Sequence, residues 1–214
     1  RPVGRVPAMP VRPMFPLGSV LLPGMVLPLH VFEDRYRALM RDCLAADRRF
    51  GVTLIERGSE VGGGDIRAMA GTIAEILQAE ELPDGRFAIV AVGSHRIRVQ
   101  EWLPDDPYPR AEVEDWPDVP STQPEEAVAA YEERVAQLRR VLAMAVELGA
   151  DADPLVELAD DADIGSFQIG VLSPIGALDR QRLLTAPGVD ARLTLLEELL
   201  DDQELMIRAR LEDL

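Results

Sequence analysis

At 214 residues, with 47% hydrophobic and 28% charged side chains, the chain has the balance of a soluble globular protein and room for one large domain or two small ones. It contains no unbroken apolar run of about 18 residues, the length a membrane-crossing helix needs. A net charge of −16 excludes bulk attraction to nucleic acid or to an anionic membrane.

The chain opens on Arg1 rather than methionine, so Arg1 to Ala8 reads as an upstream segment with Met9 as a candidate start, and residues 1–13 as an N-terminal extension. No basic start followed by an apolar core marks a signal peptide, which points to the cytoplasm. From Phe15 to Glu33 the residues are mostly apolar, but Pro16, Pro23 and Pro28 forbid a helix and hold the residues before them extended. The pattern predicts a short strand, a type II turn at Pro23-Gly24, glycine accepting the positive φ of the second corner, then a second apolar segment broken by proline and a helix start. Asp34 to Ala46 predicts a helix with Tyr36, Met40 and Cys43 on one stripe, widened by Leu39 and Leu44. The single Cys43 has no partner for an internal disulfide, as in a reducing compartment, and on that stripe it reads as a buried, inert thiol.

Arg48 to Glu56 predicts a strand with Phe50, Val52 and Leu54 on one face and Thr53 and Ile55 on the other, a pattern that suits burial between layers. Gly58 to Asp65, with Gly62-Gly63-Gly64, predicts a mobile loop. A phosphate cradle is disfavoured because the chain has no lysine for the P-loop pattern. Asparagine is absent as well; both residues use AT-rich codons, so a high-GC bacterial source is expected. Ala68 to Ala79 and Phe87 to Val99 predict a long hairpin closed around Asp84-Gly85, with a bulge at Gly93. Arg96 and Arg98 fall on one strand face, read as solvated with local acidic partners, while Ile97 and Val99 take the other. Trp102 to Pro109 is a proline-rich crossing, and Tyr108 to Trp116 a last strand.

Pro117 to Gln123 is the joint between two halves of different charge. Residues 1–117 carry 14 arginines against 17 acids, a net −3; residues 118–214 carry 8 against 21, a net −13. Thr122 to Glu125 fits a capping box with Thr122 as N-cap, opening a helix to about Leu148 with Val128, Tyr131, Val135, Leu138, Leu142 and Ala145 as its stripe. Gly149 ends it. Pro154 to Ala159 predicts a short helical turn and Ile164 to Leu172 a short helix. Ser173-Pro174 predicts an N-cap with proline at the first helical position, opening a helix to about Leu184. Asp190 is read as the cap of the last helix, whose stripe runs Leu193, Leu196, Leu200, Ile207, Leu211 and Leu214. The expected architecture is α+β: a β-barrel over residues 14–117 followed by a helical bundle over residues 118–214.

Chemistry-bearing constellations are sparse. His30 and His95 each stand alone in a strand and read as satisfied structural histidines rather than catalytic bases. There is no nucleophile-elbow motif, and a Ser-Lys dyad is impossible without lysine. Asp105-Asp106, Asp151 with Asp153, and Asp160-Asp161 with Asp163 lack the ligand pattern of a calcium loop and read as helix caps and solubilising charge. No metal, cofactor or catalytic residue is assigned.

Five pieces taken in order carry a family resemblance: Phe15-Pro16-Leu17 with Pro23 to Leu29, Gly71 to Ile76, Leu82 to Arg86, Val92 to Val99, and Tyr108 to Val113. Together they resemble the N-terminal domain of the ATP-dependent protease Lon, over a span from about Met14 to the C-terminus. The same type of domain occurs in cereblon and in stand-alone bacterial proteins. The resemblance implies that the barrel is a PUA-like pseudo-β-barrel beside the helical bundle, and it implies a part in capturing protein substrates. It extends to neither the Walker A motif nor the protease dyad of full-length Lon.

The leading expectation is thus a non-enzymatic module that binds unfolded or client polypeptide, with a protease or chaperone as a further partner. Leu22, Met25, Val26, Phe32 and Tyr36 are its candidate contact residues. They either form an exposed apolar surface or only plug the barrel, and the sequence leaves both open. The competing readings are RNA binding through Arg96, Arg98 and Arg110, and an uncharacterised hydrolase or peptidase.

Overall fold

The computed structural model describes residues 9–58 and 64–212. The expectations for Arg1 to Ala8, for most of the glycine-rich loop and for Leu214 lie outside the described residues. By internal contacts the chain forms two compact units. One holds residues up to Leu21 together with Val26–Trp116; the other holds Leu22–Met25 together with Pro117–Leu214.

The first unit contains β1 (Val11–Leu17), β2 (Val26–Val31), α1 (Asp34–Ala45), β3 (Arg49–Arg57), β4 (Ile66–Glu81), β5 (Phe87–Leu103) and β6 (Arg110–Asp115). The strands run in the order β2-β5-β4-β3-β1-β6 in one mixed sheet. The long β5 pairs with β4 along its length, with β2 through its first half and with β6 through its second. That second pairing closes the sheet on itself as a pseudo-barrel and leaves β2 as an end strand. Closure needs a bent β5, and a register shift opposite Thr72 to Ala74, between Gly93 and Arg96, supplies the bend. The barrel interior is Met14, Ile73, Ile97, Val99, Ala111 and Val113.

β1 and β3 are parallel, Met14 standing beside Gly51 and Leu17 beside Leu54. Phe50 to Leu54 are buried on both faces, as expected of a strand between layers. Gly71 of β4 sits where a Cβ would collide with the Val52 carbonyl oxygen, so only glycine permits this pairing distance. In α1 the predicted stripe is the buried one: Tyr36, Leu39, Met40 and Cys43.

The second unit contains α2 (Pro124–Glu147), α3 (Ala162–Leu172), α4 (Ala177–Thr185) and α5 (Val189–Glu212). α2 and α5 form its axis, packing Tyr131, Leu138, Val141 and Leu142 against Leu193, Leu196, Leu200 and Ile207. Arg192 is wholly buried there, its guanidinium donating to Asp118 at 2.5 Å and to Ser166 Oγ at 2.8 Å and lying 3.7 Å over the Phe167 ring.

Several local expectations are corrected. α2 starts after Gln123, not Thr122, and no side chain caps it; Pro124 at N1 restricts Gln123 to non-helical backbone. Its buried face runs through Ala127, Arg134, Gln137 and Val141, while Val128 is exposed, because Arg134 and Gln137 lay their stems on that face and reach Glu197 and Asp201 of α5 with a guanidinium and an amide tip. Pro154 to Ala159 is a turn at Pro154-Leu155 and no helix. Ser173 ends α3 instead of opening α4: its hydroxyl donates back to the Ile169 carbonyl at 2.6 Å, and Gly176 becomes the N-cap of α4. α5 begins at Val189, which puts Asp190 inside the first turn, where its charge still favours the helix N-terminus.

Candidate functional site

Strand alternation sends Met14 into the barrel and Phe15 to the opposite face. There the Phe15 ring stacks on Tyr36 of the first turn of α1, centroids 4.1 Å apart and planes 15° from parallel. Arg35 lies over the other side of Tyr36, 4.4 Å from its centroid, and donates through Nε to Glu33 at 3.1 Å. Burial pushes the Tyr36 phenol up to about 12, so it stays protonated and serves as an aromatic surface rather than as a base. Above this stack opens a groove of about 240 Å³ whose walls come from Leu17, Leu29, Val31 and Phe32. Phe32, in the short β2–α1 connection, stays 56% exposed on its rim. Large apolar surface left open beside a shaped concavity is the mark of a binding site.

The five predicted contact residues part company. Phe32 and Tyr36 line this groove, Tyr36 as floor at 4% exposure. Leu22 is fully buried among the residues of the helical unit, next to Gly170 of α3, and is removed as a contact residue. The turn forms as expected, with Gly24 at φ +79° and Met25 N–H donating to the Leu22 carbonyl at 3.0 Å. Met25 beyond it is half-buried, while Val26 is 57% exposed at the far end of β2 from Phe32, about 20 Å along an extended strand. The groove thus gains Phe15, Leu17 and Leu29, which sequence reasoning passed over. The signal was faint: Phe15 and Tyr36 stand on different elements, and nothing local marks them as neighbours.

With the fold and the groove in view, comparison with known proteins is decisive about family. The model of the ATP-dependent protease La (LON) substrate-binding domain matches residues 11–202. The chain belongs to that family. Among relatives of the Lon substrate-binding domain seen here, a Lon protease of Cytophaga hutchinsonii is 28% identical over 210 residues, taking in 97% of this chain and 25% of its own. Lon protease 2 of Myxococcus xanthus is 30% identical over 201 residues, covering 92% of this chain and 24% of its own. The chain thus spans about a quarter of the length of the curated relatives it matches. A Lon N-terminal domain protein from Xanthomonas campestris superposes with a TM-score of 0.65 at 30% identity, covering 89% of this chain and 98% of that one. The N-terminal domain of a Mycobacterium avium complex Lon protease gives 0.68 at 22% identity, covering 90% and 99%, a likeness of fold alone.

The other chemistry weighed for this Lon substrate-binding domain comes apart in three dimensions. Arg96 and Arg98 both stack on Trp116, 4.6 and 4.0 Å from its centroid. Arg96 is 3% exposed, which corrects the expectation of a solvated arginine face. Arg110 stands opposite Leu103, six residues along β5 from Ile97, whose partner is Asp115, so the three arginines form no common grip. His30 is exposed on β2 and lines the groove. Among the described residues no serine, threonine or cysteine lines that groove with it. His95 does have partners, Ser94 Oγ at 3.1 Å and Asp115 at 3.1 Å, but its ring is open to solvent and its Ser94 neighbour is the adjacent residue at the strand irregularity. Cys43 is buried beside the Arg49 carbonyl, and burial pushes its thiol up to about 12, far from a thiolate nucleophile. Asp161 accepts from the backbone of Asp163 and Ile164 as an N-cap, and Asp105 pairs with Arg67, so two of the acidic clusters are spent on structure.

Proposed function

We propose that the chain is a polypeptide-recognition module that catalyses no reaction itself and takes up extended or unfolded segments in the Phe15–Tyr36 groove. The observation that carries this reading is Phe32, more than half exposed on the rim of an apolar groove floored by stacked aromatic rings. An aromatic edge over an aromatic floor accepts leucine, methionine or aromatic side chains of varied sequence, and folded proteins hide such side chains while unfolded ones present them. The family's printed description, a substrate-binding domain, supports the same direction. The test is a titration of a fluorescent, permanently unfolded polypeptide. Phe32→Ser should weaken binding at least about tenfold, while the melting temperature stays close to that of the parent because the side chain is not core. Undiminished binding by a folded Phe32→Ser variant refutes the site.

A further inference from the structure

A second, wider groove of about 690 Å³ crosses the outer face of β2, β5 and β4, and it shares Pro28, Leu29 and His30 with the first. The strand register sets its relief. Pro28, Val90 and Gln78 form one row across the three strands; His30, Ala88 and Glu80 form the next. Ala88 is the smallest side chain of its row, so the second row is a trough with His30 on one lip and Glu80 on the other. Among the described residues no arginine lines either groove, whereas carboxylates of Glu33 and Glu80 do. Glu33 is held by Arg35, but Glu80 has no ion-pair partner among the described residues. The whole chain carries −16.

From this juxtaposition we infer that the two grooves form one continuous track for a single extended polypeptide whose apolar residues are flanked by arginine or lysine, with Glu80 as the residue that selects the positive charge. The inference rests on the groove reading above and adds length and charge to it. A segment lying alongside Pro28 to Glu33 covers about 17 Å, and crossing from β2 to β4 adds two strand spacings, about 10 Å. Together these take about eight extended residues. An apolar side chain of the client fills the aromatic groove. A basic side chain further along lays its methylene stem over Ala88 and its head toward Glu80.

Fluorescence anisotropy on the full chain tests this with three labelled peptides: an apolar octamer with two arginines in its second half, the same octamer with glutamate in their place, and the first four residues alone. The basic octamer should bind about tenfold more tightly than the acidic one at low salt, an advantage that shrinks as salt screens the exposed carboxylate. The tetramer should bind about tenfold more weakly than the basic octamer. Glu80→Gln should cut the charge preference severalfold without moving the melting temperature, and Phe32→Ser should weaken both octamers. Equal affinities for the two octamers, or a tetramer as good as the octamer, overturn the track; if Phe32→Ser still abolishes that binding, the groove reading survives. Failure of every peptide to bind overturns both.

Discussion

Leu22 and Val26 stand on either side of one turn, yet Leu22 is solvent-free and Val26 more than half exposed. They therefore separate core from surface within a single stretch. Leu22→Ala should cost about 2–5 kcal/mol, the range for deleting buried apolar atoms, while Val26→Ser should stay within about 1 kcal/mol. Urea denaturation of the two variants checks both. Charge is decided at the same scale by Asp65 and Arg67, whose side chains are 3% and 10% exposed and meet at 2.6 Å. Burial alone would raise the Asp65 carboxyl, but hydrogen bonds from Arg67 overcome it and hold the group below its usual range. The folded value lies below the unfolded one, so the pair's contribution is fully present above about pH 4 and is lost as pH falls through the depressed folded value. Arg67 keeps Asp105 as a second partner, so Asp65→Asn should cost about 2–3 kcal/mol at neutral pH. The gap between parent and variant should narrow below about pH 4 in thermal melts.

At the scale of elements, periodicity found the described helices and most of the strands. It missed β2, which proline disguised, added a helical turn at Pro154 to Ala159 that does not form, and otherwise erred at the ends of elements. Ser173 shows why. A serine before proline is extended either way, and its hydroxyl can cap the helix ahead or bond back to the helix behind; the packed position of Ile169 settles it. Thr122 loses the capping role for a related reason, since proline at the first helical position places the boundary itself. Strand pairing carries the sharper consequence. Gly71 lets β4 approach the Val52 carbonyl so closely that any side chain must push the strands apart. Gly71→Ala should therefore cost about 1–3 kcal/mol or more, far beyond the effect of alanine at an ordinary strand glycine. A melting curve near that of the parent would show that β3 and β4 can separate without loss.

For the whole molecule, the governing quantities are charge and composition. A chain at −16 with no lysine should hydrolyse neither ATP nor casein, because it has no residue for a phosphate-loop lysine or a Ser-Lys dyad. Turnover that scales with the concentration of rigorously purified protein would contradict this. RNA affinity at physiological salt should be negligible as well, since the arginines once considered a grip are stacked on Trp116 or placed elsewhere on the ladder. A filter-binding titration reaching micromolar affinity, with a steep salt dependence, would show a local cationic surface winning over the global charge.

The α+β class, the turn at Pro23-Gly24, the stripe of α1 and the family were all legible in the residues, because each depends on local backbone chemistry or on patterns that repeat along the chain. Exposure was not. Leu22, Val26, Phe32 and Tyr36 are all large and apolar, and nothing in their types says which will meet solvent. Tertiary structure sends Leu22 among the helices, lays Tyr36 beneath Phe15 and leaves Phe32 at the rim. It also sets the rows that bring His30, Ala88 and Glu80 side by side from three strands. A binding surface is made by residues distant in the chain, and their meeting depends on the register and closure of the sheet, which no local pattern encodes.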